Sequence, residues 1–245
     1  MAPQDRVKAL DLPTDRSSDW AWNRFKTSVL ALAQQRGTRR ILEVGGGRRP
    51  LFSMEEVKEH HFDYTINDVD EGELKRAPEG YRKACFDSAG VAPEELTGTF
   101  DLIFSKMVLE HVGDGERYFQ NVAKLLAPGG VGVAFHPTLY CPPFVLNRLM
   151  PEELSARVLR AFFPYRNPEA VPKFPARYSW CFSTEAHAER IRSLGFEEVV
   201  IVPFYGTSYF KKIPGLAALD RMTTRHAKIR DMRWLSSFAY TLTFR

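Results

Sequence analysis

At 245 residues the chain is long enough for one large domain and cramped for two, and 44% hydrophobic with 26% charged residues is the balance of an ordinary globular protein. A net charge of +4 is too mild to argue for nucleic acid, and no apolar run approaches the roughly 18 residues of a membrane span. Cys85, Cys141 and Cys181 are far apart and form no CxxC, so they read as reduced, cytoplasmic thiols. The charged opening, MAPQDRVKALDLPTDR, has no apolar core of the kind a secretory signal needs.

Ser17, Ser18 and Asp19 are N-cap choices for a helix that runs to about Arg36 and closes at Gly37. Trp22, Phe25, Val29 and Leu32 share one face of it, and Trp20 falls off that stripe. Ile41–Val44 reads as a short buried strand ending in Gly45, Gly46 and Gly47. Without side chains those residues can turn sharply and lie against a ligand, and the next residues are expected to open a helical stretch, which would turn the loop's N–H groups towards it. Pro50 stands where a dinucleotide fingerprint wants its third glycine, which counts against NAD or FAD. Ser53 and Glu56 make a capping box for a short helix.

Residues 62–68, 83–87 and 100–106 are the second to fourth strands, and 113–130 reads as a helix stopped by Pro128-Gly129-Gly130. A fifth strand follows at 131–137, a helix from Ser183 or Thr184 to Leu194, and a sixth strand at 197–204. A helix near 216–230 and a last strand at 238–244 complete the order. Such alternation predicts one α/β domain spanning 1–245. Its mostly parallel, Rossmann-like sheet has about seven strands, with helices on both faces. Two irregular inserts, 138–181 and 206–236, follow strands five and six and would form a substrate cap. Residues 206–245 hold eight Lys and Arg against two Asp, so the basic character sits at this end.

Ligands in such sheets bind at the carboxyl ends of the strands. Those ends offer Glu43 and the glycines, Asp68, Asp87 with Ser88, and Ser105. A carboxylate at Asp68 can accept both hydroxyls of a ribose, and Asp87 can accept from an adenine amine. Either acid alone is more often a turn residue; in this order and spacing the balance reverses.

In this order the motifs resemble those of the class I S-adenosylmethionine-dependent methyltransferases. Glu43, Gly45 and Gly47 match the family's acid–glycine motif, Asp68 its ribose acid, and Asp87 the acid near the adenine. FDLIFSKMVLEHV (100–112) and LLAPGGVGVAF (125–135) are similar to its later motifs, whereas Arg48–Arg49–Pro50 departs from the common pattern. The segments 136–154 and 174–181 are similar to a bacterial subgroup associated with surface polysaccharides and related glycoconjugates. The resemblance implies S-adenosylmethionine as cofactor and a methyl acceptor bound under the cap, with Glu43 facing the methionine end.

For a hydroxyl acceptor, His111 and His136 stand at strand ends where a general base is wanted; each is equally readable as a structural hydrogen-bonding group. Tyr140, Arg148, Tyr178, Trp180 and Tyr205 are the expected acceptor-binding residues, suited to a small or glycan-like, anionic molecule. No metal-ligating set stands out, and peripheral contact with a membrane stays open. A non-catalytic cofactor-binding protein and an RNA methyltransferase are the rival readings.

Overall fold

Seven strands form one sheet in the computed structural model, which describes residues 16–141, 175–207 and 214–245 together with Val145 and Leu149. They are β1 (Arg40–Val44), β2 (Asp63–Asp68), β3 (Arg82–Cys85), β4 (Phe100–Lys106), β5 (Leu126–Pro137), β6 (Glu198–Phe204) and β7 (Phe238–Phe244). Across the sheet the order is β3-β2-β1-β4-β5-β7-β6. The first five strands run parallel, and β7 lies antiparallel between β5 and β6. The chain therefore changes direction across the sheet between β1 and β4, the place where such folds open a crevice at their carboxyl edge.

Among the described residues six helices accompany the strands: α1 (Ser18–Gln35), α2 (Met54–Glu59), α3 (Glu71–Lys75), α4 (Gly115–Leu125), α5 (Glu185–Arg192) and α6 (Pro214–Ile229). Successive residues of a strand point to opposite faces, so β4 reports which helix covers which. Phe104 meets Phe25 of α1, with ring centroids 6.1 Å apart, and Ser105 bonds Tyr118 of α4 at 2.9 Å. Both faces are covered, which is why β1 and β4 read as near-continuous apolar runs. Among the described residues no helix is long and apolar enough to cross a membrane.

α1 begins and ends as its caps dictate, with the Ser17 hydroxyl accepting from the Trp20 N–H and Gly37 at φ +61°. Its buried stripe is Ala21, Phe25, Ser28, Val29 and Leu32. The tryptophans depart from the expected pattern. Trp20 packs inward against Phe204 and Tyr240, while Trp22 is 39% exposed at the rim and touches Phe135 and Phe238 edge-on. The helix expected over 113–130 is also shorter. α4 stops at Leu125, and Leu126 already pairs with Phe100, so Pro128-Gly129-Gly130 lies in a broad bulge before Val131 pairs with Leu102. The five-residue α3, N-capped by Asp70, was not expected.

The described part of the first insert is packed rather than open. After β4 the chain makes a helical turn, Leu109–His111, and residues 175–181 lie across it. The Glu110 carbonyl accepts from the Arg177 and Tyr178 N–H groups at 2.6 and 3.0 Å, and the Ser179 hydroxyl donates to the Val112 carbonyl at 3.2 Å. Trp180 is wedged over Gly115, where a Cβ would come within 2.3 Å of its ring, and it packs on Phe119 beneath the Arg190 guanidinium. Tyr178 and Trp180, expected to line an acceptor pocket, are 4% and 5% exposed and serve this packing. Arg148 and most of 138–181 lie outside the described residues.

Beneath this crossing lies the Glu110 side chain, buried, with Oε2 lacking a hydrogen-bond partner among the described residues. Burial pushes its carboxyl up to about 8. The folded state thus holds this proton far more tightly than the unfolded chain, whose glutamates titrate near 4.3. The associated stability is present at low pH and is lost as pH rises through the interval up to about 8. In thermal melts from about pH 7 to about pH 9, above the range in which the buried histidines His136 and His187 gain protons on unfolding, wild type should lose stability. Glu110→Gln, neutral throughout, should show a shallower decline and be the more stable protein at the alkaline end. Glu43 keeps some slope in both proteins, and identical slopes would show that Glu110 does not titrate there.

Candidate active site

β1 delivers the chain into a loop whose glycines are required by their surroundings. Gly45 and Gly47 have φ of +73° and +42°, a region that side chains disfavour. A Cβ on Gly45 would lie 2.4 Å from Val108, and one on Gly47 would lie 2.7 Å from the Asp68 carboxylate. The loop does not run straight into a helix. α2 starts at Met54, after a turn through Pro50, and is opened by the Ser53–Glu56 capping box. The Gly46 N–H is bonded to the Asn67 carbonyl at 3.0 Å, and the Arg49 N–H to the Gly46 carbonyl at 3.0 Å. Close approach of bare backbone, rather than a helix N-terminus, is what this loop offers a ligand. Arg48 reaches across it and grips Glu73 with two N–H groups, tying the loop to α3 and holding the Glu73 carboxyl below its ordinary range.

Asp68 closes β2 beside Gly47. It is half-buried, its carboxyl is raised by that burial, and Oδ1 accepts from the Asp70 N–H at 3.0 Å. Next to it, the Asn67 amide donates to the Ala84 and Phe86 carbonyls at 3.0 and 2.9 Å, fixing the end of β3 relative to β2. Asp87 follows, exposed, with Oδ1 accepting from the Ala89 N–H at 2.8 Å. The Asn121 amide of α4 donates to the Ser88 and Gly90 carbonyls at 2.9 and 3.0 Å and anchors that loop from the other side. Both asparagines escaped notice in the sequence. Each interrupts an apolar pattern at a buried position, a signal that a polar side chain is bonding backbone.

Two expected ligand-facing residues turn inward instead. Glu43 is 5% exposed and accepts from the Leu51 N–H, at 3.1 and 3.0 Å to its two oxygens, and from the Tyr64 hydroxyl at 2.6 Å. Burial raises its carboxyl to about 7. It braces the glycine loop from below rather than facing a methionine end. Ser105 is fully buried, with its hydroxyl on Tyr118. The next residue, Lys106, was not anticipated. It ends β4 half-buried, its ammonium 5.2 Å from the Trp22 ring centroid, and burial lowers its pKa against the opposing pull of Glu43.

The two candidate bases part company. His136 is fully buried between β5 and β7, with Nδ1 against the Pro137 carbonyl and Nε2 against the Thr241 hydroxyl, both at 2.9 Å. Burial drives its pKa down to about 4, so it is a neutral structural ring and not a base open to an acceptor. His111 is partly exposed on the turn after β4, and its Nδ1 lies 3.1 Å from the Pro175 carbonyl. A carbonyl can only accept, so Nδ1 carries the proton and Nε2 is the basic nitrogen. Tyr140 is partly exposed and packs against Phe182, with centroids 5.7 Å apart. Tyr205 is 2% exposed; its hydroxyl donates to Asp231 at 3.1 Å, and its backbone joins Ser18 and Arg16, so it fastens the start of α1 to β6. That is a structural post and not an acceptor contact.

The carboxyl edge therefore presents bare glycine backbone, a half-buried carboxylate with lone pairs beyond its turn bond, and an exposed acid on the next loop. Those groups are of the kind a nucleoside needs, and the missing Cβ of Gly47 lets the loop backbone pass close to the Asp68 carboxylate. The family model described as a methyltransferase domain matches residues 19–197. No curated protein matches the chain. Among solved structures, an S-adenosylmethionine-dependent methyltransferase from Mesorhizobium loti is 19% identical. It superposes with a TM-score of 0.56 over 95% of this chain and 100% of that one. One from Archaeoglobus fulgidus is 14% identical, with a TM-score of 0.51 over 94% of this chain and 100% of that one. The CurJ carbon methyltransferase is 17% identical, with a TM-score of 0.50 over 90% of this chain, which spans 52% of that longer one. With well over half of its length matched by the family model, the chain belongs to the methyltransferase-domain family, and its sheet has the fold of these solved methyltransferases.

Proposed function

We propose that the enzyme methylates an oxygen of a small or glycan-like acceptor, with His111 as the general base. The state of the His111 ring carries this reading. Pro175 holds the proton on Nδ1, leaving Nε2 as the basic nitrogen of a partly exposed side chain just beyond β4. The bound cofactor supplies an electrophilic methyl group on a sulfonium. Asp68 would accept the ribose hydroxyls, Asp87 the adenine amine, and the backbone of Gly45–Gly47 would lie along the ligand. A hydroxyl is a poor nucleophile until its proton leaves, and Nε2 of His111 would take that proton as the acceptor oxygen is aligned. Tyr140, partly exposed in the first insert, and the basic excess of residues 206–245 support a sugar-like, anionic acceptor.

Asp68→Ala should weaken binding of S-adenosylmethionine and of S-adenosylhomocysteine alike by about 1.5–3 kcal/mol, the worth of charge-assisted bonds to the shared ribose. Calorimetry on the folded variant measures this, and unchanged affinity for both would remove Asp68 from the site. His111→Gln should keep cofactor affinity and lose roughly 10²–10⁴-fold in kcat. The readout is transfer of labelled methyl into a small-molecule extract, followed by mass spectrometry of the product. Turnover at the wild-type rate would place the proton transfer elsewhere.

A further inference from the structure

Lys106 ends β4 one residue beyond Ser105, which pairs with Val44, so it stands beside the first residue of the glycine loop. Alternation along β4 puts its side chain on the face of Phe104, the face that α1 covers. There the ammonium lies 5.2 Å from the centroid of Trp22 and 6.0 Å from that of Phe25. Aromatic faces attract a cation, but they do not replace the strong hydrogen bonds an ammonium makes in water. Among the described residues Lys106 makes no hydrogen bond and no ion pair. The acid whose charge reaches it, Glu43, is committed to the Leu51 N–H and the Tyr64 hydroxyl. A cation held half out of water without a counter-ion is unfavourable, and a ligand that brings the anion relieves that cost.

We propose that Lys106, walled by Trp22, is the anion-binding group of the acceptor site and receives a carboxylate or phosphate carried by the molecule to be methylated. Lys106 and His111 belong to the same strand-to-turn connection, so one acceptor can place its anion on the first and its hydroxyl on the second. The rim position of Trp22, exposed where Phe25 is fully buried, gives the same acceptor an aromatic face to lie against. The inference rests on the reading of this edge as the site of methyl transfer. The methionine carboxylate of the cofactor has the same chemistry as the proposed ligand, and the test must separate the two.

Lys106→Met keeps the apolar stem and removes the charge. In protein whose lysines carry ¹³C-methyl groups, the resonance missing from this variant is that of Lys106. With wild type saturated by S-adenosylhomocysteine, inorganic phosphate or acetate should shift this resonance, and neutral acetamide should leave it in place. The variant should bind S-adenosylhomocysteine as wild type does, while its affinity for phosphate, read by calorimetry, falls by about tenfold or more, as loss of one charge-assisted contact requires. A resonance indifferent to both anions would overturn the proposal. So would a variant that loses S-adenosylhomocysteine affinity by that factor, since Lys106 would then hold the cofactor's own carboxylate. An anion response in a wild type with no affinity for S-adenosylhomocysteine would uphold the anion pocket and overturn the methyl-transfer reading instead.

Discussion

The glycine loop depends on a carboxyl group beneath it. Glu43 takes three hydrogen bonds, two from the Leu51 N–H and one from the Tyr64 hydroxyl, at a depth where an unsatisfied acid would be costly. Those bonds pull the turn after the glycines back onto β1 and lock β1 to β2. Phe52 then fills the space between Phe62, Tyr64 and Phe104 with edge-to-face contacts. This brace explains how the loop tolerates Arg48–Arg49–Pro50 where a helix start would otherwise hold it. The turn is fixed from below by hydrogen bonds and aromatic packing, and from the side by Arg48 on Glu73.

Burial sorts the acids of this fold into two kinds. Glu43 and Glu110 lie inside, where desolvation raises their carboxyls and their work is to fix backbone or fill space. Asp68 and Asp87 stand at the rim, where water keeps lone pairs available and a ligand can replace it. Neither rim acid is placed by its own side chain alone. The amide of Asn67 joins β2 to the exit of β3, and that of Asn121 holds the loop after Asp87 against α4. Two buried amides therefore set the separation of the two acids.

Much of this was legible in the chain. The seven strands, the caps of α1 and α2, and β4 and β7 to the residue follow from apolar runs and local polar signals, which depend on near neighbours. What escaped depends on distant partners. Glu43 reads as ligand-facing until Tyr64, 21 residues away, is seen to claim it. His136 reads as a base until β7 brings Thr241 against it, and Trp180 as a pocket wall until Gly115 is found beneath it. Lys106 hid for a different reason. A lysine after a strand is ordinarily a solvated end, and only the arrival of Trp22 from α1 shows that it is held partly out of water.

The placement of β7 has a consequence for the order in which the molecule can form. β6 finds its hydrogen-bonding partner in β7, and β5 finds there its neighbour on the side away from β4. Until residues 238–244 have been synthesised, β6 has no place in the sheet among the described strands. The first helix waits as well, because Trp20 and Phe25 pack on Tyr240, and Ser18 is bonded to Tyr205. A nascent chain can close β1 to β5 as it emerges from the ribosome, but α1 must stay undocked on one flank until the last strand arrives. Long-range closure of this kind slows folding and leaves apolar surface open in the interval. The same residues that complete the sheet, Phe238 and Tyr240, then finish the packing of α1 on the flank where Trp22 lies over Lys106.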